Sequence, residues 1–343
     1  MRIFNFKKLV YSFALFTSLF ILPFFAYGNP YVVTKIVSDT NSAPIQDPRL
    51  VNPWGLYVAE EGGFYVADNG TNLITAYNCD GSINSFEANA LSSPTGMMYN
   101  SSKVNFIIPS TSKAAQFILS TENGTILAFN STVDPNNAIV VANRSSFGSV
   151  YKGLTIVQNK SQFFIYATDF FNAKIDIFDT NFNYISSITD PTIPPGFAPF
   201  NVKVINQQIY VTYALQKGPD NHDDQPGPGN GFVDIFNLDG TFSTRLVSNG
   251  ALNSPWGITQ ASQNYGQYSG ALLVGNFGDG LINAYDINTG AFLGHLGDRE
   301  GNPVVIDGLW ALEFKGLCSY LFFTSGPNNE RNGLVGLIHS VSR

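Results

Sequence analysis

Two cysteines and three histidines in 343 residues leave little room for thiol or imidazole chemistry. The chain has no Cys-x-x-Cys, no His-Glu-x-x-His, no Gly-x-Ser-x-Gly elbow and no phosphate-binding Gly-rich lysine loop. A histidine-rich zinc site is excluded with them. Charge is also scarce, at 13 % of residues, and the formal net charge is −7. No basic patch is available for nucleic acid or for an anionic membrane surface, so neither is expected as a partner. Long amphipathic runs with apolar residues three and four apart are missing, which argues against helices. Beyond the N-terminus no apolar stretch reaches the ~20 residues of a membrane span.

One long apolar run does exist. Arg2, Lys7 and Lys8 precede an almost unbroken hydrophobic segment, Leu9 to Phe25, followed by Ala26-Tyr27-Gly28. That is the grammar of a secretory signal peptide at 1–28, with the expected cut after Gly28. The remainder, 29–343, is expected to be secreted or periplasmic, and more acidic once those three cations are gone. An oxidising compartment permits a disulfide between Cys79 and Cys318. Two free thiols are the other reading.

What fills the rest is glycine (32 residues), aromatics (14 %) and short apolar runs bounded by Gly, Asn, Asp and Pro. Those runs read as strands and turns. The unit Pro255-Trp256-Gly257, Ala271 to Asn276, Leu281 to Tyr285 and Ala291 to Leu296 has four such runs. The same grammar recurs from Leu50, Ser93, Tyr151, Pro199 and Gly308. Aligned after the Trp-like position, the units start at 55, 96, 153, 201, 257 and 311, about fifty residues apart. A four-stranded unit repeated six times predicts an all-β, six-bladed β-propeller as a single domain. The last unit is a strand short. Tyr31–Ser38, a lone β-rich run with no partners nearby, is expected to complete it. A ring closed this way leaves no sheet edge open, and a monomer is expected.

Several phrases also resemble a family. They are Val51-Asn-Pro-Trp-Gly-Leu56, Phe64-Tyr-Val-Ala-Asp-Asn-Gly-Thr71, Tyr166-Ala-Thr-Asp169, Gly229-Asn-Gly-Phe-Val-Asp-Ile-Phe236, Leu273-Val-Gly-Asn-Phe-Gly-Asp-Gly280 and Asp307-Gly-Leu-Trp310. The chain resembles exported bacterial proteins of uncharacterised function, distantly related to NHL-repeat six-bladed propellers. Some of those relatives carry a PEP-CTERM sorting tail. Ser340-Val-Ser-Arg343 has no such tail, so free secretion is expected. The resemblance implies the fold and leaves the activity open.

Three constellations could carry chemistry. The first is a set of oxygen ligands after the second strand of each unit: Asp68, Asn69, Glu122, Asp169, Asn276 and Asp279. Facing one channel, they could hold Ca²⁺, which takes six to eight oxygens. Related six-bladed lactone and phosphoester hydrolases look similar here, with a channel calcium that polarises the substrate. The same residue types also simply form turns. The second is the loop Gln216 to Asn230, where His222, Asp223 and Asp224 could be an acid–base pair or metal ligands. A solvated loop held by prolines is its plain reading. The third is the position before each anchor residue, which includes Lys152, Phe200 and all three tryptophans, Trp54, Trp256 and Trp310. Indoles at a channel mouth could stack on a sugar or another flat ligand. The plain reading is that they wedge between blades as packing. The favoured function is a module that binds a small molecule, carbohydrate or protein on the channel face. The alternative is a calcium-dependent hydrolase of lactones or esters.

Overall fold

A computed structural model describes residues 29–78, 80–314 and 320–342. The leader, and both cysteines with their proposed bond, lie outside the described residues. Six antiparallel sheets follow one another along the chain. Their innermost strands are Pro53–Val58, Pro94–Tyr99, Tyr151–Asn159, Phe197–Ile205, Pro255–Gln260 and Leu309–Phe314. Each touches the next, and the sixth touches the first, so the sheets form a closed ring of six blades. Blades 1 to 5 have four strands each. Apolar clusters fill the wedges between neighbours, for example Ala67, Met97 and Leu119 between blades 1 and 2.

Blade 6 takes strands from both ends of the chain. Tyr31–Ser38 pairs antiparallel with Leu334–Ser340, in the place expected for it. The Tyr31 hydroxyl donates to the Tyr265 carbonyl at 2.9 Å, and Ser38 Oγ donates to the Gly333 carbonyl at 2.7 Å. A short fifth strand, Ile45–Gln46, lies parallel on its outer side. It falls in a stretch that reads as a mere link in the sequence.

The six innermost strands share one irregularity. Each shifts register within its first five residues: Pro53/Leu56, Pro94/Met97, Tyr151/Leu154, Pro199/Asn201, Pro255/Gly257 and Leu309/Leu312. A bulge re-aims a side chain. Here each one marks the residue before the anchor, at the axis. In five of the six blades the anchor itself is Gly or Ala, Asn201 being the exception, because the next blade is so near. A Cβ on Gly96 would stand 2.5 Å from the Leu154 amide nitrogen, and one on Gly257 would stand 2.6 Å from the Trp310 carbonyl oxygen. Polar straps then join blade to blade. Thr95 Oγ1 donates to the Tyr151 carbonyl (2.9 Å), Asn201 Nδ2 to the Trp256 carbonyl (2.9 Å) and Thr324 Oγ1 to the Trp54 carbonyl (2.7 Å). Among the described residues no helix is long and apolar enough to cross a membrane.

Candidate functional site

The bulges bring the three tryptophans together at the axis. Trp54 and Trp310 stack with centroids 3.6 Å apart, and Phe277 stacks on Trp310 at 4.1 Å. Trp256 meets both indoles edge-on, at 6.0 and 5.8 Å. Phe200 closes the group against Trp310. All three tryptophans are buried, at 3 % exposure or less. Trp256 Nε1 donates to the Lys152 carbonyl and Trp310 Nε1 to Asn52 Oδ1, whereas Trp54 Nε1 is buried without a partner among the described residues. Trp54 and Trp310 cover a face of each other, with Phe277 on Trp310 and Lys152 over Trp54, so these indoles form a packed plug.

Lys152 comes from the same bulge position and caps that plug. Its Nζ lies 5.2 Å from the Trp54 ring centroid. It donates to Glu122 Oε1 at 2.6 Å and to Asp223 Oδ1 at 3.2 Å. Burial pushes its pKa down, but the two carboxylates more than offset this, and the net shift is upward. The ammonium therefore stays charged in a buried place. Glu122 Oε2 accepts from Asn69 Nδ2 at 3.0 Å, and Asn52 Nδ2 donates to Glu330 Oε2 at 2.8 Å and to Asn69 Oδ1 at 3.3 Å. Burial raises the Glu330 carboxyl. One connected polar patch thus draws on blades 1, 2, 3, 4 and 6. Asn52 and Glu330 are absent from the sequence-derived set. Glu330 lies in the turn after the second strand of unit six, as Glu122 does in unit two, but four residues beyond the equivalent place, which Gly326 holds, so the repeat alone does not point to it.

The 216–230 loop is ordered by its own backbone. Lys217 N donates to Asp223 O, and Gln225 N donates to Leu215 O. It carries Asp223 onto Lys152. It turns Asp224 inward beside Ser254, where burial raises the pKa. His222 goes the other way and sits edge-on to Phe171 at 5.3 Å. His222, Phe171, Glu122, Asn123 and Asn143 line a groove of about 640 Å³ between blades 2 and 3, with Leu91 and Val140 as its apolar margin.

The remaining oxygen ligands turn into their own blades. Asp68 Oδ2 accepts from Thr75 at 2.7 Å. Asp169 Oδ1 accepts from the Val150 amide (3.1 Å) and Oδ2 from Asn172 (2.8 Å). Asn276 donates to Ala251 O and to Asp279, which also receives Asn253. Of the six, only Asn69 and Glu122 meet at the axis, and Lys152 is already on Glu122. That is not the six or more oxygens calcium takes, and the ammonium repels a dication. Among the described residues no three His, Cys, Asp or Glu side chains are grouped to hold a metal.

No known family profile matches the chain. An uncharacterised protein of Acanthamoeba polyphaga mimivirus is 35 % identical over 330 residues, covering 89 % of this chain and 79 % of its own. A second from the same virus is 34 % identical over 326 residues, covering 89 % and 84 %. The chain belongs to the family of these proteins. These relatives are viral, which corrects the bacterial assignment suggested by the sequence phrases. Solved structures resemble it at fold level. Virginiamycin B lyase from Staphylococcus aureus aligns with a TM-score of 0.51 at 12 % identity, covering 91 % of this chain and 100 % of that one. A luciferin-regenerating enzyme gives 0.54 at 14 %, covering 91 % and 96 %. A Bacteroides thetaiotaomicron protein of unknown function gives 0.58 at 10 %, covering 91 % and 76 %. At such identities the likeness is one of fold alone.

Proposed function

We propose that the protein is an exported binding module that takes a small hydroxylated molecule or a carbohydrate in the groove between blades 2 and 3. The charged run and apolar segment of 1–28 support export. The observation that carries the reading is the buried Lys152 ammonium, fixed by Glu122 and Asp223 where the groove meets the axis. Pockets of roughly 300–1,000 Å³ with a few convergent polar groups suit small ligands. This groove offers Phe171 as a flat apolar wall and Glu122, Asn123, Asn143 and His222 as hydrogen-bonding partners. The tryptophans support the floor rather than the ligand.

The test is a melting-shift screen against neutral sugars, sugar acids and polyols, followed by titration of the hits. Phe171→Ala, at the groove wall, is expected to weaken a true hit about tenfold, the scale of one aromatic contact. Hits that ignore this substitution, or an empty screen, would sink the proposal. The alternative, a calcium-dependent hydrolase, predicts that a calcium chelator lowers the melting temperature. It also predicts lactone or ester turnover that disappears in Asp169→Ala. The binding reading expects neither.

A further inference from the structure

Leu91, at the margin of the groove between blades 2 and 3, belongs to two walls at once. On its other side lies a second cavity of about 430 Å³, lined by Thr71, Asn72, Glu87, Asn89 and Asn136. This one sits where the outermost strand of blade 1, Ile83–Asn89, reaches blade 2. The link from Ala90 to Ser93 divides the two spaces and is clamped in place. Asn72 accepts the Ala90 amide on its backbone carbonyl (2.8 Å) and the Ser93 amide on Oδ1 (2.6 Å). Asn89 Oδ1 accepts the Leu91 amide at 2.7 Å. Leu91 itself takes a φ of 63°, which is uncommon for a residue other than glycine, and its side chain stands 47 % exposed between the cavities.

The chemistry of the second cavity continues that of the groove. With their carbonyl oxygens held by the link, Asn72 and Asn89 keep side-chain NH₂ groups that have no partner among the described residues, and Asn136 keeps its whole side-chain amide. Amides both donate and accept, as hydroxyls do. The carboxylates that line the two spaces are already answered by cations: Glu87 pairs with Arg49 at 3.0 Å and Glu122 with Lys152 at 2.6 Å. An ionic ligand therefore gains little from either. An extended peptide needs a free strand edge, and this one is closed, because Asn89 N donates to Asn136 O and Ala138 N to Asn89 O, both at 2.8 Å. A neutral chain of hydroxylated rings meets every condition. Its C–H faces rest on Phe171 and Leu91, and its hydroxyls bond the amides. Building on the groove reading, we propose that the ligand is a neutral oligosaccharide of several units, with one end in the groove and the rest passing over Leu91 into the cavity between blades 1 and 2.

Titration calorimetry of the whole protein with malto-, cello-, manno- and chito-oligosaccharides of increasing length tests this. In the series that binds, affinity is expected to rise about tenfold or more from the single sugar to the tetrasaccharide, since linked units reach the second cavity at high effective concentration. Asn136→Ala, at an exposed side chain outside the groove, should remove most of that gain. Leu91→Asn suits the positive φ and should reduce the gain as well. Phe171→Ala should weaken every length alike. Single sugars that bind with no gain from added units would overturn the extension and leave the groove reading standing. A gain that survives both Asn136→Ala and Leu91→Asn overturns the extension too. Absence of binding by every chain up to about 10 mM overturns both readings together.

Discussion

Gly96 is a glycine because its neighbour's backbone occupies the space a side chain would need. A methyl there must push the Leu154 amide away, and with it the innermost strand of blade 3. Gly96→Ala is therefore expected to destabilise the fold by about 2 kcal/mol, as overpacking does. Urea unfolding checks it, and an unchanged midpoint would mean that the strands can move apart freely. The role of such anchors is legible in the sequence, since Gly or Ala stands at five of the six unit starts, Asn201 being the exception. The direction of Asp68 is not. It sits at a strand end beside Asn69, and alternation sends the two side chains opposite ways, one to Thr75 and one to Glu122. Neither residue type records which of them faces the axis. The burial of Trp54, Trp256 and Trp310 is equally silent, because an indole that packs and an indole that stacks on a ligand look alike in one sequence.

Among the elements, the Tyr31–Ser38 strand is the one that the rest of the ring waits for. Its place was readable because the sixth unit is one strand short and this β-rich run has no partners of its own. The Ile45–Gln46 strand was not, since a two-residue parallel pairing leaves no periodicity. The 216–230 loop was legible as an insertion. Its effect of delivering Asp223 to Lys152 depends on backbone bonds that composition does not encode. Tyr31 anchors the closing strand through its hydroxyl, which donates to Tyr265 O and accepts from Tyr268 N. Tyr31→Phe should lose about 1 kcal/mol, the net worth of such bonding, with the ring intact. A calorimetric melt compares it with the parent, and an equal melting temperature would deny the strand its clasp.

Across the whole molecule, buried acids set the response to pH. Burial raises Asp68, Asp169, Asp224 and Glu330, and it raises Asp234 to about 7 despite Arg245, which also contacts Asp190. Each holds a proton in the folded state at pH values where the unfolded chain has released it. Their contribution is complete below the unfolded carboxylate range and is lost as pH rises through the folded values. Asp47 has the opposite sign. Burial raises it, but hydrogen bonds from Arg49 and Tyr77 prevail, so its contribution appears above the unfolded value and fades on acidification. The melting temperature is accordingly expected to fall between about pH 4 and 7, from the unfolded carboxylate value to the raised Asp234 value, at fixed ionic strength. Asp234→Asn should flatten that slope. A slope identical to the parent's would show that another group titrates there.

Closure also has a cost in time. Ser38 meets Gly333 across 295 residues of chain. During synthesis the first strand leaves the ribosome long before its partner exists, and it must stay unpaired, with an adhesive edge, until five blades have been made. Contacts of such long range slow folding. The final assembly step is then expected to be the docking of this early strand into the last sheet.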